Sequence, residues 1–299
     1  MKRGRWQILL AAALFLLALG LTLYPVVSNW YIGRHQSRIQ TEYREVLEQT
    51  DSAEIESIRE SAVAYNKTIT PGAAEEAYSQ ASIRAASEDY VNQLNVSGSG
   101  IMGYVEIPKI GVDLPIYHGT GADSLDRGTG HLLGSSLPVG GESTHTIITG
   151  HSGMASQKMF TDLEQLREGD IFYLHVLDET LAYEVREIHT VLPHDTTYLG
   201  IEPGEDLCTL VTCTPTGVNT HRLLVHGSRI PYVPTEETEA SAVPHEENTD
   251  SNWEKQYWLG VRLGLAAMVF LTLVAGAVLY IRRNRGRAVH RKGGRYVRK

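Results

Sequence analysis

Two apolar runs bracket the chain. Ile8–Val27 is almost wholly apolar and about the length of a bilayer-spanning helix, and a second such run covers Leu263–Ile281. Between them the apolar residues change period. From Arg34 to Tyr65 they fall at helical spacing, as Ile39, Tyr43, Val46 and Leu47 and then Ile55, Ile58, Ala62 and Tyr65, with Thr50-Asp51-Ser52 marking a break. Asn66–Ala86 is ambiguous, holding Thr70-Pro71-Gly72 and then an alanine- and glutamate-rich stretch. Glu88–Asn95 adds another helical turn or two before Ser97-Gly98-Ser99-Gly100. After Ile101 short β-like runs alternate with turn signals: Met102–Ile107, Thr146–Thr149, Ile171–Val176, Leu181–Leu192, Leu207–Thr214 and Arg222–Ile230, with one helix-like insert at Met159–Leu166. Six to eight short strands in this span predict a closed or nearly closed barrel. Pro231–Trp253 reads as a Pro/Glu/Thr-rich linker.

These patterns divide the chain into a start and first apolar helix (1–33), a helical spacer (34–97), a β domain (98–231), an acidic linker (232–257), a second apolar helix (258–281) and a basic tail (282–299). Charge adds direction. Lys2, Arg3 and Arg5 precede the first run, and Arg282, Arg283, Arg285, Arg287, Arg291, Lys292, Arg295, Arg298 and Lys299 follow the second. The positive-inside rule places both ends in the cytoplasm and the β domain outside, on a two-pass protein of the plasma membrane. The rival reading of the first run is a cleavable signal peptide. With −8 overall, the stretch between those basic ends carries about −20, which excludes a nucleic-acid-binding surface as the main theme.

The chain contains two cysteines, Cys208 and Cys213. They lie in one strand-like run, and their odd separation sends them to opposite faces, against a disulfide. Cys213 ends the run Leu207–Thr214, and Pro215 stops the ladder. After a turn with Gly217 and Asn219 a second strand starts at His221-Arg222, so pairing of the two strands sets Cys213 beside Arg222. A thiolate nucleophile needs a nearby cation or imidazole. A departing amine needs an acid near neutrality, and a developing oxyanion needs a preorganised donor, which guanidinium supplies. Among the twelve histidines, His151 follows the buried-strand pattern Thr146–Thr149 and opens into a glycine-flanked loop. His118, before Gly119, competes on the same logic, and His221 points away from its neighbour Arg222. His118, His131, His145 and His151 lack the tight spacing of metal ligands, and no metal or cofactor is expected.

Thr209-Leu210-Val211-Thr212-Cys213 resembles the TLxTC signature of sortases. The arginine in Asn219-Thr220-His221-Arg222 matches the family's catalytic arginine, and Thr149-Gly150-His151 its histidine. The likeness extends through Met102–Ile110, Leu114–Thr120 and Ser136–Gly141 and covers roughly residues 90–230. With the second apolar run, it points to class C, the pilin polymerases of Gram-positive bacteria. The resemblance implies a mainly β fold, an eight-stranded sortase-type barrel with short helices, an N-terminal helical segment and two transmembrane helices. It implies Cys213, His151 and Arg222 as catalytic residues and the signature threonines Thr209 and Thr212 as substrate-binding. The implied reaction cleaves an LPxTG-type signal between Thr and Gly and passes the acyl group to a lysine amine of a pilin. Housekeeping attachment of surface proteins to wall peptide is the alternative, and a silent membrane-anchored binding protein a second one. The Asp-Pro-aromatic lid of class C is missing from residues 60–100. Glu76-Ala77-Tyr78 is the nearest analogue, an acid and an aromatic two apart, against the plainer reading of an ordinary helix surface.

Overall fold

The computed structural model describes residues 39–79, 87–154, 157–234 and 252–293, with isolated positions between 12 and 27. It divides into two units, one holding Met1–Trp30 and Glu254–Lys299, the other Tyr31–Trp253.

The larger unit is built on eight strands: β1 (Ile101–Ile107), β2 (Val112–His118), β3 (Thr129–His131), β4 (Thr144–Thr149), β5 (Ile171–Val176), β6 (Glu179–Val191), β7 (Asp206–Thr214) and β8 (His221–Ile230). They close into a barrel in the order β1-β2-β3-β4-β7-β8-β6-β5. The pairs β2–β3 and β4–β7 are parallel. Two strands carry no strand-like pattern in the sequence. β2 has Pro115 in its middle, which cannot donate to a ladder, and β3 is three residues long with a central glycine. The helix expected at Met159–Leu166 is only a 3-10 turn at Leu163–Gln165. Met159 sits at φ +45°, outside helical geometry.

The interior is filled by residues such as Val105, Ile116, Ile148, Phe172, Leu174, Tyr183, Leu210 and Val225. Along β4, β7 and β8 the residues between these face outward, yet Ile147, Val211 and Leu224 are also buried. A sheet covered on both faces reads as a continuous apolar run rather than an alternating one, which is why Leu207–Thr214 looks as it does.

The cover comes from the N-terminal helices. A helix over residues 39–49 (α1) precedes α2 (Ser52–Asn66), and Asp51 caps α2 by accepting from the Ala53 amide at 2.8 Å. The break expected at Thr50–Ser52 is therefore this cap. Next come α3 (Ala73–Ser79) and α4 (Glu88–Val91), and α5 (Ala122–Leu125) follows β2. Tyr43 of α1 donates to the Met102 carbonyl and accepts from the Leu177 amide, each at 3.2 Å. Asn66 makes a two-way bond with Leu137, at 3.2 and 2.7 Å. Ala74, Ala77 and Tyr78 of α3 join the outer cluster around Ile147, Val211 and Leu224. Gly134 admits this helix, since a Cβ there would lie 2.5 Å from the Ala73 carbonyl oxygen.

In the smaller unit, helix α6 runs Asn252–Gly293. Its Trp258–Val278 portion, with mean hydropathy 2.1, is long and apolar enough to cross a bilayer. Among the described residues it is the one helix that meets that test. Nine of the twenty residues of the first apolar run, Ile8–Val27, lie outside the described residues, and of the two spans expected one is found.

Candidate active site

The outer face of the β4–β7–β8–β6 sheet is ordered in rows. Cys213 pairs with Arg222, which in turn pairs with Val191 of β6. One row below, Val211 pairs with Leu224 on one side and Thr149 on the other. His151 lies two residues past Thr149, so it continues β4 on the same face and at the same rim as Cys213. The thiol, the imidazole and the guanidinium thus come from three adjacent strand ends. All three residues are half-buried. Cys208 faces the other way, fully buried in the barrel interior, where desolvation pushes its thiol well above the ordinary range. Both cysteines are free thiols.

Local chemistry explains the placement. The Gly150 amide makes the last backbone bond to β7, to the Val211 carbonyl at 3.0 Å. A side chain at 150 would collide with Phe160, whose ring lies 2.6 Å from an ideal Cβ there. Glycine thereby lets Phe160 pack under the turn that carries His151, and the Phe160 amide holds the His151 carbonyl at 3.0 Å. His151 Nε2 faces Asp126 Oδ1, just past α5, at 3.9 Å. No sequence signal marks Asp126 as a neighbour of His151. The Arg222 Nη1 donates to the carbonyls of His221 and Asn219 at 3.1 and 3.4 Å, which leans the guanidinium on the β7–β8 turn.

The other candidates fall elsewhere. His118 is held through both ring nitrogens, with Gly100 O at 2.9 Å and Gln93 O at 2.7 Å, and does not join Cys213. Thr209 and Thr212, expected to bind substrate, are buried with their hydroxyls already engaged. Thr212 donates to the Gly150 carbonyl at 2.8 Å. Thr209 lies between His145 Nε2 at 2.6 Å and His226 Nδ1 at 2.7 Å. His145 must donate from Nδ1 to the Gly200 carbonyl, 2.7 Å away. Its Nε2 therefore accepts from Thr209, which accepts in turn from His226. Burial holds both imidazoles below their ordinary values.

Tyr78 is the residue of α3 nearest the chemistry. Its hydroxyl is buried without a hydrogen bond of ordinary geometry. Burial pushes its phenol up, Arg222 close by pulls against that, and Cys213 pushes it up further. Arg222 is thus near enough to act on the Tyr78 phenol. Glu76, two residues earlier, is on the exposed side of the helix.

A closed eight-stranded barrel with a thiol, an imidazole and a guanidinium on one rim has the parts of a cysteine acyltransferase. The sortase domain model matches residues 105–230. A solved Sortase C from Streptococcus pneumoniae is 46% identical, with 66% of this chain and 100% of that one covered and a TM-score of 0.60. Sortase C-1 from Actinomyces oris is 44% identical over 60% of this chain and 99% of that one, with a TM-score of 0.55. Among curated proteins, a Sortase A of Streptococcus agalactiae is 24% identical over 74% of this chain and 83% of its own length. The chain belongs to the sortase family of cysteine transpeptidases, and its solved neighbours are the class C, pilin-related members.

Proposed function

We propose that this sortase joins pilin subunits through Cys213, His151 and Arg222. In the first half-reaction the Cys213 thiolate attacks the threonine carbonyl of an LPxTG-type signal. The Thr–Gly C–N bond breaks, and His151 gives its proton to the departing glycine amine. Arg222 stabilises the oxyanion of each tetrahedral intermediate. In the second, a lysine amine of another pilin attacks the thioester carbonyl, the C–S bond breaks, and His151 takes up the proton as the thiolate is restored. The observation that carries this reading is the cross-strand pairing of Cys213 with Arg222 on the face and rim that His151 shares. Pilin acceptors, rather than wall peptide, are favoured by the neighbours, one of which is described as a pilus-related Sortase C of Group B Streptococcus.

In this reading Tyr78 is the lid's ring over the site, and Glu76 lies on the exposed side of the same helix. The barrel (98–231) faces the outside, with α6 as its anchor and the flanking basic residues in the cytoplasm. The test is mass spectrometry of the protein with an LPxTG peptide and lysine-bearing pilins. A thioester followed by a pilin–pilin isopeptide is the expected result. A thioester resolved only by wall-peptide amines makes the protein a housekeeping enzyme, and no thioester at all makes it a binding protein.

A further inference from the structure

The β4–β7 ladder stops with backbone bonds at Gly150 and Val211, yet the two strands stay joined past that point. Two side chains continue the ladder. Thr212 donates its hydroxyl across to the Gly150 carbonyl at 2.8 Å. Ser152 donates back the other way, to the Cys213 carbonyl at 2.6 Å. These bonds bracket His151 and Cys213, one on each side. Each ties a residue adjacent to one reacting group to the strand that carries the other. His151's own carbonyl is held from the third side by the Phe160 amide. The Gly153 amide, next to Ser152, accepts a further anchor by donating to Thr161 Oγ1 at 3.0 Å.

We propose that Ser152 is a positioning residue for transpeptidation, its hydroxyl clamping the carbonyl of Cys213 and so fixing the spacing of thiol and imidazole. The inference rests on the assignment of Cys213 and His151 as the reacting pair. The one hydroxyl proton of Ser152 is committed to the Cys213 carbonyl, so its role is argued through the position of Cys213 and His151. A loop released from this bond lets His151 drift relative to the nucleophile, and misplacements of about 1 Å cost as much as 10²-fold in rate. Thr212 shares the task from the β7 side, which gives a use to a signature threonine too buried to meet substrate.

The experiment is single-turnover thioester formation from an LPxTG peptide by the full-length protein. Five forms are compared: wild type, Ser152→Ala, Ser152→Thr, His151→Ala, and Ser152→Ala combined with His151→Ala. Ser152→Ala is expected to lower the maximal rate about tenfold, with the half-saturating peptide concentration unchanged to within about twofold. Ser152→Thr, which keeps the hydroxyl, restores most of the rate. In the His151→Ala background, Ser152→Ala costs little more, because two residues acting through one geometry are not additive. A full tenfold loss in that background, or a wild-type rate in Ser152→Ala, overturns the proposal. Failure of the catalytic assignment shows separately, as undiminished thioester formation by His151→Ala alone.

Discussion

Two short helices from the N-terminal segment dock on the same barrel in opposite ways. α4 brings Tyr90, fully buried, into a closed polar knot. Its hydroxyl accepts from the Gly119 amide at 2.9 Å and meets His131 Nδ1 at 2.9 Å. His131 Nε2 faces the Ser136 carbonyl at 2.8 Å, so that nitrogen donates and Nδ1 accepts from Tyr90. α3 lies over the face that carries Cys213 on two alanines and Tyr78, whose buried hydroxyl makes no hydrogen bond of ordinary geometry. On the same face the Thr149 hydroxyl is also buried and unpaired. The chain is pinned on both sides of α3, at Asn66 and at Tyr90, while α3 buries two alanines and a tyrosine hydroxyl that makes no hydrogen bond of ordinary geometry. An unmet buried group costs about 1–3 kcal/mol. A segment held this way between two fixed points is suited to lift from the site without unfolding the rest.

Acid acts on the pinned region through one buried imidazole. Burial lowers His131 from its ordinary 6.5 to about 4. In the unfolded chain the imidazole takes a proton below 6.5, while the folded form resists until about 4. Stability from this group is therefore complete above 6.5 and is lost as the pH falls from there to about 4, in full on the order of 3 kcal/mol. Buried His145 and His226 push the same way. Urea midpoints should fall steadily across this window, and a flat profile would dissolve the knot as a buried neutral network.

Tyr90→Phe and Tyr78→Phe sharpen the contrast at the level of one oxygen atom. The first strands the Gly119 amide and His131 Nδ1 and should cost about 2 kcal/mol. The second removes a hydroxyl that makes no hydrogen bond of ordinary geometry and should leave the unfolding free energy within about 0.5 kcal/mol of wild type. Equal losses in the two variants would mean that Tyr78 is as firmly bonded as Tyr90. The smallest effect is expected at α3 itself. Alkylation of Cys213 in Tyr78→Ala should be only a few-fold faster than in wild type, because α3 is held weakly and opens often. A rise of about a hundredfold would mean roughly 2.7 kcal/mol in favour of the closed form, and a well-latched lid.

Much of this arrangement is written in the sequence. The strand-end cysteine, the arginine across the turn and the histidine after a buried strand are legible because each is a local pattern with a chemical use. The same holds for the opposite facing of Cys208 and Cys213, which needs only the two-residue period of a strand. β2 and β3 are hidden because Pro115 and Gly130 blur their patterns, and only pairing with neighbours makes them strands. The surroundings of Thr209 and Thr212 are hidden for a related reason. A hydroxyl in a signature looks available for substrate until the fold shows that His145, His226 and Gly150 already occupy it. Tyr78 was visible as a candidate ring, but its fit over the site depends on Ala74, Ala77 and the gap at Gly134. No local pattern brings those together.

The most direct test is where the acyl group is carried. Wild type, Cys208→Ala and Cys213→Ala are mixed with an LPxTG peptide, and the adduct is mapped by intact mass and peptide sequencing. Cys213 in wild type and in Cys208→Ala should carry the Thr-terminated acyl group, with most activity kept in Cys208→Ala, and Cys213→Ala should carry none. An adduct on Cys208, or turnover by Cys213→Ala, would contradict the assignment.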